Sequence, residues 1–153
     1  MKKLLMLTLV VVVVLAGCTN KMPDSKKGSK YVDFYYDTIE KANPGFTGKV
    51  NDVTKALKID DEIKNATKQI EDTISKILEP MPDEVTEILF KEYKKAVEKH
   101  VDTIEFEKGK EIIDKVIAES KTNLEQAKID FMNSNVDIIT QLTNIIKLIL
   151  PAE

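Results

Sequence analysis

From Ser29 to the C-terminus the apolar residues of this chain return every third or fourth position, and that spacing constrains the fold more than any other feature. Residues at i, i+3, i+4 and i+7 share one side of a helix, whereas a half-buried strand needs strict alternation. No alternation persists long enough to build a sheet, and no internal repeat of roughly 20–50 residues is visible. The expectation is an all-α fold, an antiparallel helical bundle of four to five helices with a long C-terminal helix, occupying residues 29–153.

The stripes and their breaks set the expected elements. A first helix opens at Ser29, read as its N-cap, and ends near Asn43. Tyr31, Tyr35, Ile39 and Ala42 fall on one face of it, flanked by Phe34 and Tyr36. Tyr31, Phe34, Tyr35 and Tyr36 are the candidate binding surface, because tyrosine anchors interfaces well; ordinary core packing with hydroxyls at the rim is the competing reading. Asn43 to Gly48 is a turn, and a short helix then carries Val50, Val53 and Leu57. A break at Lys58-Ile59, with Asp60 as cap, shifts the stripe to Ile59, Ile63, Ala66, Ile70, Ile74 and Ile77. Asp60, Asp61 and Glu62 look like a metal cluster, but three carboxylates at a helix start more simply complement its positive end.

Glu79-Pro80-Met81-Pro82-Asp83 stops one helix and opens the next. Val85, Leu89, Tyr93, Ala96, His100 and Ile104 mark the buried side of that next helix. Glu87 with Lys91 and Lys94 with Glu98 stand at i,i+4 on its outer face. The register changes between Ile104 and Ile113, so a kink or tight turn is expected across Glu105 to Gly109. If Gly109 to Leu150 were one helix it would run about 60 Å, with Asn133-Ser134-Asn135 as its weak point. The apolar residues from Ile138 to Leu150 cover more than half the circumference, which one neighbour cannot bury. The segment then sits centrally in the bundle, meets a second copy so that the chain forms an oligomer, or lies on lipid; Asp137, Gln141, Asn144 and Lys147 argue against a membrane span.

The N-terminus carries a different signal. Lys2 and Lys3 precede an apolar run from Leu4 to Leu15, broken by Thr8. As a helix that run would rise about 18 Å against a hydrocarbon core of roughly 30 Å, which suits a signal h-region better than a span. It closes on Leu15-Ala16-Gly17-Cys18, which resembles the lipobox of bacterial lipoproteins. The resemblance covers these eighteen residues. It implies cleavage between Gly17 and Cys18, a diacylglyceryl thioether on Cys18 and acylation of the new amine. Residues 1–17 would be the cleaved signal peptide and 18–28 the lipidated cysteine with a flexible tether. Two or more acyl chains hold a protein stably on a bilayer, whereas one holds it weakly. A stray thiol is the alternative for Cys18, but as the sole cysteine it has no internal disulfide partner. Lys21, Lys26 and Lys27 would either lean on anionic headgroups or belong to a solvated linker. Thr19 stands where an Asp would resemble the inner-membrane retention signal of Gram-negative lipoproteins. The expected place is the cell membrane or outer membrane, lipid-anchored and facing the periplasm or the exterior.

Charge narrows the function classes. Without Lys2 and Lys3 the 23 cations fall to 21 against 26 carboxylates, a formal charge of −5. That balance, with every cation a lysine, disfavours nucleic acid as a partner. His100, the single imidazole, has Ala96, Val97, Thr103 and Ile104 at helical-neighbour positions and reads as a core or boundary residue. Glu105 and Glu107 would serve acid–base work only if buried and separated in pKa. No phosphate loop, cysteine cluster, HExxH or EF-hand pattern occurs. No catalytic residue, metal or cofactor is therefore expected beyond the lipid groups on Cys18, and the chain is not read as an enzyme. The function expected is non-enzymatic binding of a protein partner at the envelope or host surface. A lipid or small-ligand carrier with an apolar cavity between helices is the alternative.

Overall fold

The computed structural model describes residues 26–134, 136 and 138–150. The expected signal peptide 1–17, the Gly17–Cys18 cleavage site, lipidated Cys18 and most of the tether lie outside the described residues. Within them the chain is an all-α bundle of seven helical segments: α1 Lys26–Ala42, α2 Phe46–Ala56, α3 Asp60–Leu78, α4 Asp83–Val101, α5 Phe106–Ser120, α6 Leu124–Asn133 and α7 Ile138–Ile149. No strand is present among these residues.

Helix α1 is the hub, packing on α3, α4 and α2. Tyr31, Val32, Tyr35 and Ile39 are its buried face. It begins three residues before Ser29, so 26–28 belong to the bundle and not to the tether. The reason is tertiary. The Gly28 N–H, in the first turn where a local cap residue would normally accept, donates instead to Ser75 Oγ of α3 at 2.8 Å. Gly28 also sits where a Cβ would overlap the Glu71 carbonyl, which lets the two backbones touch.

The turn after α1 is held by Glu40, whose carboxylate accepts from the Gly45 N–H at 2.8 Å and from the Thr47 hydroxyl. Gly45 takes φ 90°, where a side chain would be strained. Helix α2 closes through Lys58 at φ 60°, with Lys58 N–H donating to Lys55 O and Ile59 N–H to Thr54 O, both at 3.0 Å. That pair of bonds is a Schellman ending built on a lysine. The expected break at Lys58-Ile59 is thus found, but Ile59, not Asp60, is the cap residue; Asp60, Asp61 and Glu62 occupy the first turn of α3. The proline boundary lies between α3 and α4 as the sequence suggests.

The break after α4 covers 102–105, one turn earlier than expected. Gly109 lies inside α5 and is buried, because Phe46 and Val136 approach its position to 3.2 Å of a would-be Cβ. The C-terminal stretch is helical over most of its described residues, with breaks after Ser120 and after Asn133. At the first break Asn123 caps α6 by accepting the Gln126 N–H at 3.1 Å, and α6 folds back on α5 as a hairpin packed on α2. Helix α7 then lies against α4 and α3, burying Ile138, Ile139, Leu142, Ile145 and Ile146. Two neighbours thus share its wide apolar arc, while Leu148 stays exposed.

Helices α1 and α4 run parallel. Tyr31 meets Phe90 and Tyr93 at 4.9 and 4.7 Å, while Tyr35 stacks on His100 at 6.4 Å. Helix α7 runs opposite to α4, with Gln141 beside His100 and Leu148 beside Leu89 and Glu92. The bundle therefore has two ends, one with the start of α1 and the other with the starts of α5 and α7.

Candidate functional site

The second of those ends holds a cleft of about 300 Å³. Ile39, Phe46, Ile112, Val136 and Ile138 form its apolar floor, and His100, Gln141, Thr103, Glu105 and Lys108 its polar wall. Three helix ends build it: the last turn of α4, the first of α5 and the first of α7. Gly109 keeps the α5 backbone close enough for Phe46 to complete the floor.

The polar wall is ordered from behind. Gln141 Oε1 accepts from the Tyr35 hydroxyl at 3.3 Å and stands 3.3 Å from His100 Nε2. In the tautomer protonated at Nε2, the ring donates to the same oxygen. Tyr35 is fully buried, and its ring lies near-parallel to the imidazole. His100 is half-buried, a boundary position as its apolar stripe suggests. Its partner is an amide, which orients a ring without the charge stabilisation a carboxylate would give.

Glu105 and Glu107 do not converge. Both are exposed, and each faces a lysine one turn on: Glu105 with Lys108 at 3.7 Å, Glu107 with Lys110 at 3.3 Å. Among the described residues no group of three or more His, Cys, Asp or Glu could hold a metal ion.

The candidate surface of Tyr31, Phe34, Tyr35 and Tyr36 is not a surface. Tyr31 and Tyr35 are core residues, and Phe34 and Tyr36 are half-buried against them. Parallel packing of α1 on α4 draws them in, because it offers Phe90 and Tyr93 as ring partners. Tyr93 donates its hydroxyl to Tyr31 O at 2.5 Å. Burial pushes the Tyr31 phenol up to about 12 and raises that of Tyr93, with Tyr35 and Tyr31 adding to the effect. Lysines cover the outer edge: Lys30 lies 4.4 Å and Lys94 4.8 Å from the Phe90 ring. Lys94 thus turns to an aromatic face where a pair with Glu98 was expected. Tyr36 also lines an open groove between α1, α2 and α3 with Glu40, Lys64, Lys68 and Glu71.

Gln141 escaped the sequence reading as a site residue. Its signal was there, a polar side chain inside the most apolar helix of the chain, but only the fold brings it to His100, 41 residues away. No protein-family model matches the chain, and neither does any curated protein or solved structure.

Proposed function

We propose that this protein is a lipid-anchored helical module of the bacterial cell envelope that binds a protein partner, without catalysis, through the His100–Gln141 cleft. The observation that carries the reading is the order of lysines, apolar run and lipobox in the first eighteen residues, joined within seven more to a folded bundle. The placement of the cleft supports it. The cleft lies at the end of the bundle opposite Lys26, where an anchored protein points away from its membrane. The bundle interior supports a binder over a carrier, since Tyr31, Tyr35, Tyr93 and Phe131 fill the space a lipid chain would need. The apolar floor of the cleft favours one second reading, capture of a small amphipathic molecule there.

Two measurements test this. Mass spectrometry of the protein from native membranes should find Cys18 at the N-terminus with diacylglyceryl and acyl mass; an unmodified thiol removes the anchor. A photoreactive residue at Thr103 or Lys108, on intact cells, should capture a defined protein that the same group at Lys128 does not. Capture of a small lipid and no protein would replace the binder by the carrier.

A further inference from the structure

Four large apolar side chains stand strongly exposed among the described residues: Val85, Ile88, Ile129 and Leu148. Val85 and Ile88 stand at the end of the bundle where α1 begins, and Leu148 lies beside the following turns of α4. Val85 and Ile88 occupy the first two turns of α4, at 41% and 61% exposure, on the side of the helix that also carries Leu89, Glu92 and Ala96. Leu148, 83% exposed, lies against that same side, where it and Ile149 share a groove with Leu89, Glu92, Lys95, Ala96 and Lys99. Packing of Lys30 on Phe90 and of Tyr31 on Tyr93 fixes the register of α1 beside α4, and that register sets Lys26 level with Thr86 to Ile88. Val85 and Ile88 therefore border the point where the chain enters the bundle, and Leu148 extends the patch along α4. Ile129 is elsewhere, on the hairpin that packs on α2.

We infer that this patch rests on the bilayer, with Ile88 and Leu148 entering the interface and the His100 cleft held away from it. The inference depends on the lipid-anchor reading. Eight backbone steps separate Cys18 from Lys26. Fully extended they reach about 28 Å, so a lipid on Cys18 keeps this end near the membrane. Helix α4 adds about 28 Å more before the cleft is reached. Exposed aliphatic chains at the tethered end meet the interface at no cost in reach, and each one buried adds to the hold of the acyl groups. Lys91 stands one turn after Ile88, as a cation near headgroups does, though Asp83, Glu84 and Glu87 on the neighbouring turns keep the patch from being a basic surface. The bound species is thus a lipid interface recognised through apolar insertion.

The chain contains no tryptophan and one cysteine, which makes the test clean. Ile88→Trp, Leu148→Trp and Ile129→Trp are made separately in the chain from Cys18 onward, which includes every described residue. Each is coupled through Cys18 to a maleimide lipid in phosphatidylcholine vesicles containing phosphatidylglycerol. Circular dichroism confirms that each folds. Brominated acyl chains should quench Ile88→Trp and Leu148→Trp severalfold more than Ile129→Trp, with blue-shifted emission for the first two. Equal quenching of all three, or none, overturns the inference. So does a blue shift without bromine quenching that grows with protein density, which would assign the patch to a second copy. The synthetic link supplies the anchor, so failure here is distinct from finding Cys18 unacylated in the cell.

Discussion

Gly28 and Ser75, 47 residues apart, join the first turn of α1 to α3 by a 2.8 Å hydrogen bond from backbone to side chain. Ser75 Oγ also donates to Glu71 O at 2.9 Å, so the hydroxyl bridges two backbones at a crossing with no room for a Cβ. Gly28→Ala must push the helices apart. It is expected to destabilise by about 1–3 kcal/mol, the range for overpacking a tight contact. Ser75→Ala orphans a buried N–H at a cost of roughly 1–3 kcal/mol. Urea unfolding of both variants checks this. If Gly28→Ala were neutral, the close crossing would be wrong.

Tyr31 and Tyr93 should respond oppositely to loss of a hydroxyl. The Tyr31 hydroxyl is buried with no hydrogen-bond partner among the described residues. Tyr31→Phe is therefore expected to be neutral or to stabilise by about 1 kcal/mol. Tyr93→Phe loses the bond to Tyr31 O and should cost roughly 1 kcal/mol. Chemical denaturation of the two single variants decides, and equal effects would contradict the hydroxyl environments.

Glu40 makes a pH-dependent clasp. Its bonds to Thr47 and Gly45 hold the carboxyl below the ordinary glutamate range. A depressed folded-state pKa stabilises above the unfolded value, and that contribution is lost as pH falls through the folded value. Glu40→Gln should thus lower the melting temperature at neutral pH and match the parent at acid pH. Glu71 acts in the other direction. Burial, then Asp33 and Asp72, raise its pKa, so Glu71→Gln should stabilise at neutral pH and lose that advantage in acid. Thermal melts across pH separate the two signs.

Lys58 carries a left-handed backbone at the end of α2. Glycine adopts that conformation without the Cβ clash, so Lys58→Gly is expected to stabilise by about 1 kcal/mol or somewhat less. A drop in the denaturation midpoint would show that the Lys58 side chain contributes something the Schellman bonds do not.

Local chemistry announced most of the fold. The spacing of Val50, Val53 and Leu57, the prolines at 80 and 82, and the broad apolar arc from Ile138 mark elements that the bundle contains. What escaped depends on contacts between distant segments. Ser29 looks like a cap, yet it lies inside α1, beside a Gly28 N–H that donates to Ser75 of another helix. Gly109 looks like a breaker, yet it is a packing contact for Phe46 and Val136. The tyrosines of α1 look like an anchor surface until Phe90 and Tyr93 are laid beside them. For the same reason the cleft was legible only as isolated residues. Stripe position placed His100 at a boundary, but nothing in one helix announces that His100 and Tyr35 will share the side-chain oxygen of Gln141.

Helix α2, eleven residues long, is the main packing partner of the α5–α6 hairpin outside itself among the described residues. Phe46 faces Phe106 at 5.0 Å and Lys49 pairs with Asp114 at 2.9 Å, while the start of α2 is clasped to α1 by Glu40. A short rod thus carries much of the packing between the hairpin and the rest of the bundle. Amide exchange in the hairpin should therefore rise when α2 is loosened, so that this short connector of the bundle tunes how tightly its neighbour is held.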